Sequence, residues 1–136
     1  MRTILTSILV DNQDKALKFY TEVLGFIKKT DIPMGPDTKW LTVVASEGPD
    51  DVEILLEPNW NPAIQIDGKP AAAEWQKILF NAGIPAAVFK VTDIEAEHKR
   101  LLDAGVHFTK SPMQAGPVKI AVLDDTCGNL LQIIQP

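Results

Sequence analysis

The sequence predicts an α+β fold made of two tandem βαβββ modules. Residues 8–26 and residues 89–108 follow one plan, in which a strand end, a capped helix, a glycine and a second strand come in that order. Two copies at so long a period indicate a duplicated module, because a solenoid needs three or more repeats. Short β-branched stretches after each copy supply the remaining strands.

The first module begins with a strand and an amphipathic helix. The helix is predicted at about residues 14–24, with Asn12 or Asp14 as its N-terminal cap and Gly25 at its end. Its apolar side chains recur at three- and four-residue spacing, at Ala16, Leu17, Tyr20, Val23 and Leu24. The four strands of the module are predicted at residues 3–10, 26–30, 40–45 and 52–57.

The second module follows a linker rich in proline and asparagine. The linker, residues 58–70, contains one strand-like fragment at residues 64–66, and a helix of strong helix formers is predicted at residues 71–81. Asp93 is expected to cap the next helix, at about residues 94–104. Strands are predicted at residues 86–91, 106–109, 118–123 and 129–134. We expect a single domain, with module one at about 1–58, the linker and its helix at about 59–83, and module two at about 84–136.

Composition and charge exclude several classes of protein. Hydrophobic residues make up 46% of the 136 positions, so the chain can bury a core without disulfides. The net charge of −5 argues against a nucleic-acid surface, which needs clustered Lys and Arg. The single cysteine, Cys127, fits a reducing compartment, and no apolar run approaches the roughly 20 residues that cross a bilayer. We therefore expect a cytoplasmic protein that binds neither nucleic acid nor membrane.

Four motifs resemble a known superfamily. They are V-D-N-x-D-K-A-L-K-F-Y-x-x-V-L-G-F at residues 10–26, L-L-E-P-N at 55–59, V-T-D at 91–93 and D-D-T-C-G-N at 124–129. On these motifs the chain resembles the vicinal oxygen chelate superfamily, which includes glyoxalase I, extradiol dioxygenases and bleomycin resistance proteins. The resemblance implies that the two modules form a curled mixed sheet around a shared cavity, which holds ligand or metal on its concave face. It also implies a homodimer, which is frequent in the superfamily.

The resemblance also locates the superfamily's metal ligands. Metal-using relatives place a His, Gln or Glu on the first and last strands of each module. The matching positions in this chain fall near Leu5, near Leu55, near Ala86 and on Gln132, and Glu53 and Glu57 lie within one register of Leu55. Leucine and alanine cannot donate an electron pair, and the only histidines, His98 and His107, lie elsewhere. We therefore expect no catalytic metal and no cofactor, and we expect these four positions to contact a ligand instead.

Glu57 is the candidate catalytic residue, although a second interpretation has equal weight. Glu53, Leu55 and Glu57 share one strand face by period-two alternation. If that face lines the cavity, Glu57 is a buried carboxylate that can act as a base or bind a ligand. If the face is solvated, Glu57 only pairs locally before Pro58.

Gln132 and two tryptophans are candidate ligand-binding residues. Gln132 lies in an apolar strand, where its amide must find partners, so we favour a cavity-facing role over a structural one. Trp60 in the linker and Trp40 at a strand start are candidates for the cavity mouth, since aromatic walls suit a planar or apolar ligand. A dimer contact would use the same residues.

These observations favour a metal-free protein that binds a small organic molecule. The sequence leaves open whether it turns that molecule over. The alternative is a lyase or isomerase of the glyoxalase type that uses Glu57 or Gln132. A third possibility is a fold retained mainly for dimer assembly, which predicts a cavity filled by side chains.

Overall fold

The computed structural model describes residues 1–136 and contains ten strands and three α-helices. The strands are β1 (Leu5–Val10), β2 (Ile27–Pro33), β3 (Lys39–Val44), β4 (Glu53–Pro58), β5 (Gln65–Ile66), β6 (Lys69–Pro70), β7 (Ala87–Lys90), β8 (Phe108–Ala115), β9 (Val118–Asp124) and β10 (Leu130–Gln135). The helices are α1 (Gln13–Lys18), α2 (Ala71–Asn81) and α3 (Ile94–Asp103). None of the helices has the length and apolar character needed to cross a membrane.

The chain divides into two compact units, Met1–Gln76 and Lys77–Pro136. Unit one holds a four-stranded sheet in the order β1-β4-β3-β2, and unit two holds one in the order β7-β10-β9-β8. In both sheets the first strand pairs in parallel with the last, and the other neighbours are antiparallel. The predicted α+β class and the repeated βαβββ order are therefore confirmed.

The core of unit one lies between its sheet and α1, which contacts β3 and β4. Tyr20 is fully buried there, with its ring edge-on to Phe19 at 5.8 Å and to Phe26 at 6.0 Å between centroids. Aromatic rings favour this edge-on geometry because the positive ring edge meets the negative face of its neighbour. The sheet side of the core consists of buried aliphatic side chains, namely Ile8, Val10, Leu41, Val43 and Leu56.

The first helix is shorter than predicted and changes type. Asn12 is its N-terminal cap, since its Oδ1 accepts from the Lys15 N–H at 2.9 Å, and the α-helix ends at Lys18. A π-helical segment, Phe19–Val23, follows, and it ends where the Leu24 N–H donates to the Phe19 carbonyl at 3.0 Å. Gly25 then takes a φ of +83°, which glycine adopts without steric cost, so the predicted C-terminal glycine is confirmed.

The linker contains a hairpin of two short strands, each of two residues, that the sequence pattern did not predict. β5 and β6 pair antiparallel, with Gln65 opposite Pro70 and Ile66 opposite Lys69. Asp67 and Gly68 have positive φ values of 51° and 76°. An Asp-Gly pair is typical of the type I′ turn that joins such strands, so this dipeptide was the signal that could have predicted the hairpin.

Unit two is built in the same way around α3. The Asp93 carboxylate caps this helix by accepting from the Glu95 and Ala96 N–H groups at 3.1 and 3.0 Å, as predicted. Ile94 and Leu101 are fully buried on the face of α3 that contacts β8, β9 and β10. The β9–β10 turn holds Gly128 at a φ of +100°, which is the positive value expected there.

Strand β8 extends well beyond its predicted end at residue 109. It continues through Ser111 and Pro112 to Ala115, a stretch whose polar and proline content indicated a loop. β8 lies at the edge of its sheet, where proline removes no hydrogen bond from an inner neighbour. Its pairing with β9 also shifts register twice, between Phe108 and Lys110 and between Lys110 and Met113.

Candidate functional site

The unit-one sheet has a second face, opposite the one that packs on α1. Side chains alternate along each strand, and paired residues of neighbouring strands point to the same side. The registers Leu5–Glu53, Thr42–Leu55 and Thr30–Thr42 therefore place one set of side chains together. We call this set the Glu53 face, and it comprises Leu5, Ser7, Leu9, Thr30, Ile32, Trp40, Thr42, Val44, Glu53, Leu55 and Glu57.

Four residues named from the sequence lie on the Glu53 face. Leu55 is buried, Glu57 and Leu5 are half-buried, and Trp40 is 39% exposed at the start of β3. The alternation that predicted a shared face for Glu53, Leu55 and Glu57 is thus confirmed. The face combines aliphatic side chains with one aromatic side chain and two carboxylates, which is the usual composition of a small-molecule site.

A hydrogen-bonded group of three residues lies in the middle of this face, and sequence reasoning missed it. The Thr42 hydroxyl donates to Glu53 Oε2 through a short hydrogen bond, and the Thr30 hydroxyl donates to the same oxygen at 3.4 Å. The Thr30 N–H donates in turn to Thr42 Oγ1 at 3.1 Å. Thr42 has no exposed surface, so two hydroxyls orient one carboxylate across three adjacent strands.

Trp60 lies at a different place in unit one and does not join Trp40. It is 40% exposed and lines a cleft of about 480 Å³ beside the β2–β3 loop and the start of α1. The other lining residues are Asp11, Asn12, Gln13, Asp14, Pro33, Gly35, Pro36, Asp37, Thr38 and Lys39. Seven of the eleven lining residues are polar or charged, so the cleft is more polar than the Glu53 face.

Gln13 and Lys39 determine the shape of that cleft. The buried Gln13 amide donates to the Leu56 and Lys39 carbonyls, each at 2.8 Å, and accepts from the Lys39 N–H at 3.0 Å. The Lys39 ammonium donates to Asp14 Oδ1 at 2.9 Å. This hydrogen bond, followed by the charge attraction, lowers the pKa of the Asp14 carboxyl and raises the pKa of the Lys39 ammonium. Both groups meet solvent, so the pair contributes little to stability.

Unit two holds the remaining two residues named from the sequence. Gln132 is half-buried in the inner strand β10, paired with Val88 on one side and Val122 on the other, and no hydrogen bond joins its amide to the rest of the chain. Ala86 is exposed just before β7, where its N–H donates to the Leu130 carbonyl at 2.8 Å. Gln132 therefore shares its sheet face with apolar partners and with the polar Lys90 and Asp124, and Ala86 has no polar side-chain atom.

The four positions that the resemblance assigns to metal ligands offer few ligand atoms to a divalent cation. Leu5, Leu55 and Ala86 have no atom that donates an electron pair, and Gln132 offers a single amide oxygen. Hard divalent ions take about six or more oxygen ligands, whereas zinc takes about four nitrogen, sulfur or oxygen ligands. No group of three or more His, Cys, Asp or Glu side chains is placed to hold an ion.

The comparisons with known proteins agree with this fold. A model of the Glyoxalase/Bleomycin resistance protein/Dioxygenase superfamily matches residues 4–133. The chain belongs to this superfamily. The resemblance drawn from the four sequence motifs is thereby confirmed.

Relatives within the superfamily cover almost the whole chain. The uncharacterised protein YurT of Bacillus subtilis (strain 168) is 52% identical over 135 residues, which is 99% of both chains. The crystal structure of UcmS2 is similar with a TM-score of 0.82 and 30% identity, covering 98% of this chain and 97% of that one. TnmS3, an antibiotic binding protein from Streptomyces sp. CB03234, has a TM-score of 0.74 and 25% identity, covering 100% and 96%.

Proposed function

We propose that this protein binds a small organic molecule with an aromatic or apolar body on the Glu53 face, as a binding or sequestration protein without the superfamily's catalytic metal. The observation that carries the proposal is the pair of aliphatic side chains, Leu5 and Leu55, at the two positions of unit one that the resemblance assigns to metal ligands. Together with the partly exposed Trp40 they provide apolar contact area where metal-using relatives coordinate an ion. Burial of apolar ligand surface is the main source of affinity in such sites.

The similarity to TnmS3 supports a ligand of this kind. That protein is an antibiotic binding protein, and the likeness extends along the full length of this chain. We therefore take planar aromatic antibiotics as the first class of ligand to test. Fold similarity alone does not carry function, so the proposal depends on the side chains of the Glu53 face.

A Trp40→Ala variant tests the proposed site. Loss of the indole removes aromatic contact worth about 1.4 kcal/mol or more, so we expect at least about tenfold weaker binding of an aromatic antibiotic by calorimetry. Trp60→Ala is the matched comparison, because Trp60 is 40% exposed, much as Trp40 is, and lines the polar cleft instead of the Glu53 face. Equal losses in the two variants, or none in either, would place the ligand elsewhere.

Metal analysis of dialysed protein tests whether the protein holds a divalent cation. We expect no stoichiometric divalent ion, because three of the four ligand positions carry aliphatic side chains. Tightly held Ni, Zn, Fe or Mn at one ion per chain would contradict the proposal and would favour a metalloenzyme.

Glu57 supports the second candidate function, a lyase or isomerase. Its carboxylate is half-buried on the same face, four residues along β4 from Glu53. In an enzyme that uses this carboxylate as a base, Glu57→Gln abolishes turnover and leaves the fold intact. A binding protein has no activity for the same change to remove. Steady-state turnover assays of the wild-type protein and of Glu57→Gln therefore distinguish the two functions.

We further propose a cytoplasmic homodimer. The single cysteine supports a reducing compartment, and exposed apolar side chains on α2, Trp75 and Ile78, supply surface that a partner would bury. Light scattering coupled to size-exclusion chromatography is expected to give about twice the chain mass of 14.9 kDa. A monomer at micromolar concentration would contradict the dimer.

A further inference from the structure

We propose that Glu53 is the residue that recognises the ligand's charge, and that it selects a molecule carrying a protonated amine next to an aromatic body. This inference rests on the proposed function, since it specifies which ligand the Glu53 face takes. It concerns a residue within one register of Leu55 that pairs directly with Leu5 across β1 and β4.

The first step is that the Glu53 carboxylate is held in place before a ligand arrives. A register shift in β2 between Lys28 and Thr30 marks a bulge, beside which the Thr30 N–H donates to the Thr42 hydroxyl. The Thr42 hydroxyl accepts that hydrogen bond and directs its own proton to Glu53 Oε2. A binding group fixed by its neighbours loses little conformational freedom when a ligand binds.

The second step is that one oxygen of the carboxylate remains available. Both threonine hydroxyls donate to Oε2, which leaves Oε1 without a hydrogen bond from these partners. Glu53 is half-buried, and its neighbour across the β1–β4 pair is the aliphatic Leu5. A carboxylate in partly apolar surroundings attracts a cation more strongly than one in bulk water.

The third step is that no cation of the chain neutralises Glu53. The basic residues near it in the sheet and at the N-terminus form ion pairs with other carboxylates, namely Arg2 with Asp51, Lys28 with Asp31 and Lys29 with Asp50. The negative charge of Glu53 is therefore left for a ligand, on a face whose other carboxylate is Glu57. Hydrogen bonds between a cation and a carboxylate are about twice as strong as those between neutral groups.

The position of Trp40 sets the shape of the ligand. Trp40 lies two residues before Thr42 on the same face of β3, which is roughly 7 Å along the strand. Leu55 is the partner of Thr42 in β4, so the antiparallel register brings Glu57 opposite Trp40 and puts Glu53 on the other side of Leu55, where its carboxylate meets Thr42. An aromatic body that packs on Trp40 and Leu55 therefore has Glu57 at its Trp40 end and Glu53 at its Thr42 end, and the Glu53 carboxylate is the one that two threonine hydroxyls hold in place.

Two probes of equal shape test this selection. 1-Naphthylmethylamine is cationic at pH 7, and 1-naphthylmethanol is its neutral counterpart. By calorimetry we expect the wild-type protein to bind the amine at least about tenfold more tightly than the alcohol. Glu53→Gln is expected to remove this preference and to leave the affinity for the alcohol within about twofold, because only the charge is lost.

Glu22→Gln is the matched control for net charge. Glu22 is exposed on the π-helical segment, outside the Glu53 face, so this variant is expected to keep the full preference for the amine. If Glu53 only stabilised the β2 bulge, Glu53→Gln would lower the stability of the protein. It would leave the ratio of the affinities for the amine and the alcohol unchanged.

Each remaining outcome has a definite meaning. Equal binding of the two probes by wild-type protein overturns this inference and leaves the proposed function standing, whereas binding of neither probe overturns both. A preference that persists in Glu53→Gln places the recognising carboxylate elsewhere. If that variant does not fold, NMR spectra of the wild-type protein decide. The amine must then shift the backbone amide signals of Thr30, Thr42 and Glu53 more than the alcohol does.

Discussion

Replacing Asp125 with alanine is expected to lower the free energy of unfolding by about 3–5 kcal/mol, because it removes a buried charged acceptor with several donors. Asp125 has no exposed surface and lies in the turn between β9 and β10. Its Oδ1 accepts from the N–H groups of Cys127 and Asn129 at 2.8 and 2.9 Å, and its Oδ2 accepts from the Asn129 amide at 2.6 Å. Alanine removes both carboxylate oxygens that accept these hydrogen bonds.

Asp124→Ala is the control for this prediction. Asp124 is the adjacent residue, is half-buried, and accepts from the Thr126 N–H at 2.7 Å. Its loss is expected to cost about 1 kcal/mol, as for a single exposed hydrogen bond. Urea unfolding followed by circular dichroism measures both variants. Similar losses of unfolding free energy in the two variants would contradict the prediction. They would show that the buried hydrogen bonds of Asp125 stabilise the protein no more than one exposed hydrogen bond does.

Replacing Gln13 with alanine is the second large change, with an expected cost of about 2–4 kcal/mol. The buried Gln13 side chain joins the start of α1 to β3 and β4 through its three hydrogen bonds to Lys39 and Leu56. Without the amide, the Lys39 N–H and the buried carbonyl of Leu56 lose a partner. Because these groups also border the cleft at Trp60, we expect the indole fluorescence of the folded protein to change as well.

Gln114→Ala provides the comparison for Gln13→Ala. Gln114 is exposed on β8 and donates to the Gly116 carbonyl at 2.8 Å, so its removal is expected to change stability by less than about 0.5 kcal/mol. Thermal and urea unfolding of both variants are the measurements. A Gln13→Ala protein as stable as the Gln114→Ala protein would contradict the assignment of a structural role to the buried amide.

The sequence predicts those parts of the fold that depend on local signals. Asn12 and Asp93 cap helices because their side chains accept from N–H groups two or three residues further along the chain. This contact depends only on the residue type and on its place before the helix. Helix α2 occupies the predicted residues, and Gly25 ends the first helical region as expected. Apolar periodicity placed Tyr20 correctly in the core.

Features that depend on neighbouring strands were not predictable in this way. The extension of β8 through Pro112 is possible only because β8 has one neighbour in its sheet, which no local pattern shows. The π-helical segment contains the buried Phe19 and Tyr20, and the apolar spacing of the sequence predicts an ordinary α-helix there.

The candidate site was predicted in part for the same reason. Alternation along one strand grouped Glu53 with Glu57, but the contacts of Glu53 arise from a bulge in β2 and a buried threonine in β3. Sequence reasoning gave Glu57 the catalytic role, whereas the structure provides a hydrogen-bonded setting for Glu53. Trp40 and Trp60 were grouped as one aromatic wall, although they line different surfaces of unit one.

The irregular outer strands also affect how the protein behaves at high concentration. A flat, regular outer strand offers a row of free backbone donors and acceptors to which another molecule can add, the first event in amyloid-like aggregation. β2 carries a bulge and two lysines, and β8 carries Pro112 and two register shifts. These irregularities interrupt such a row, so neither strand offers a continuous template for intermolecular pairing.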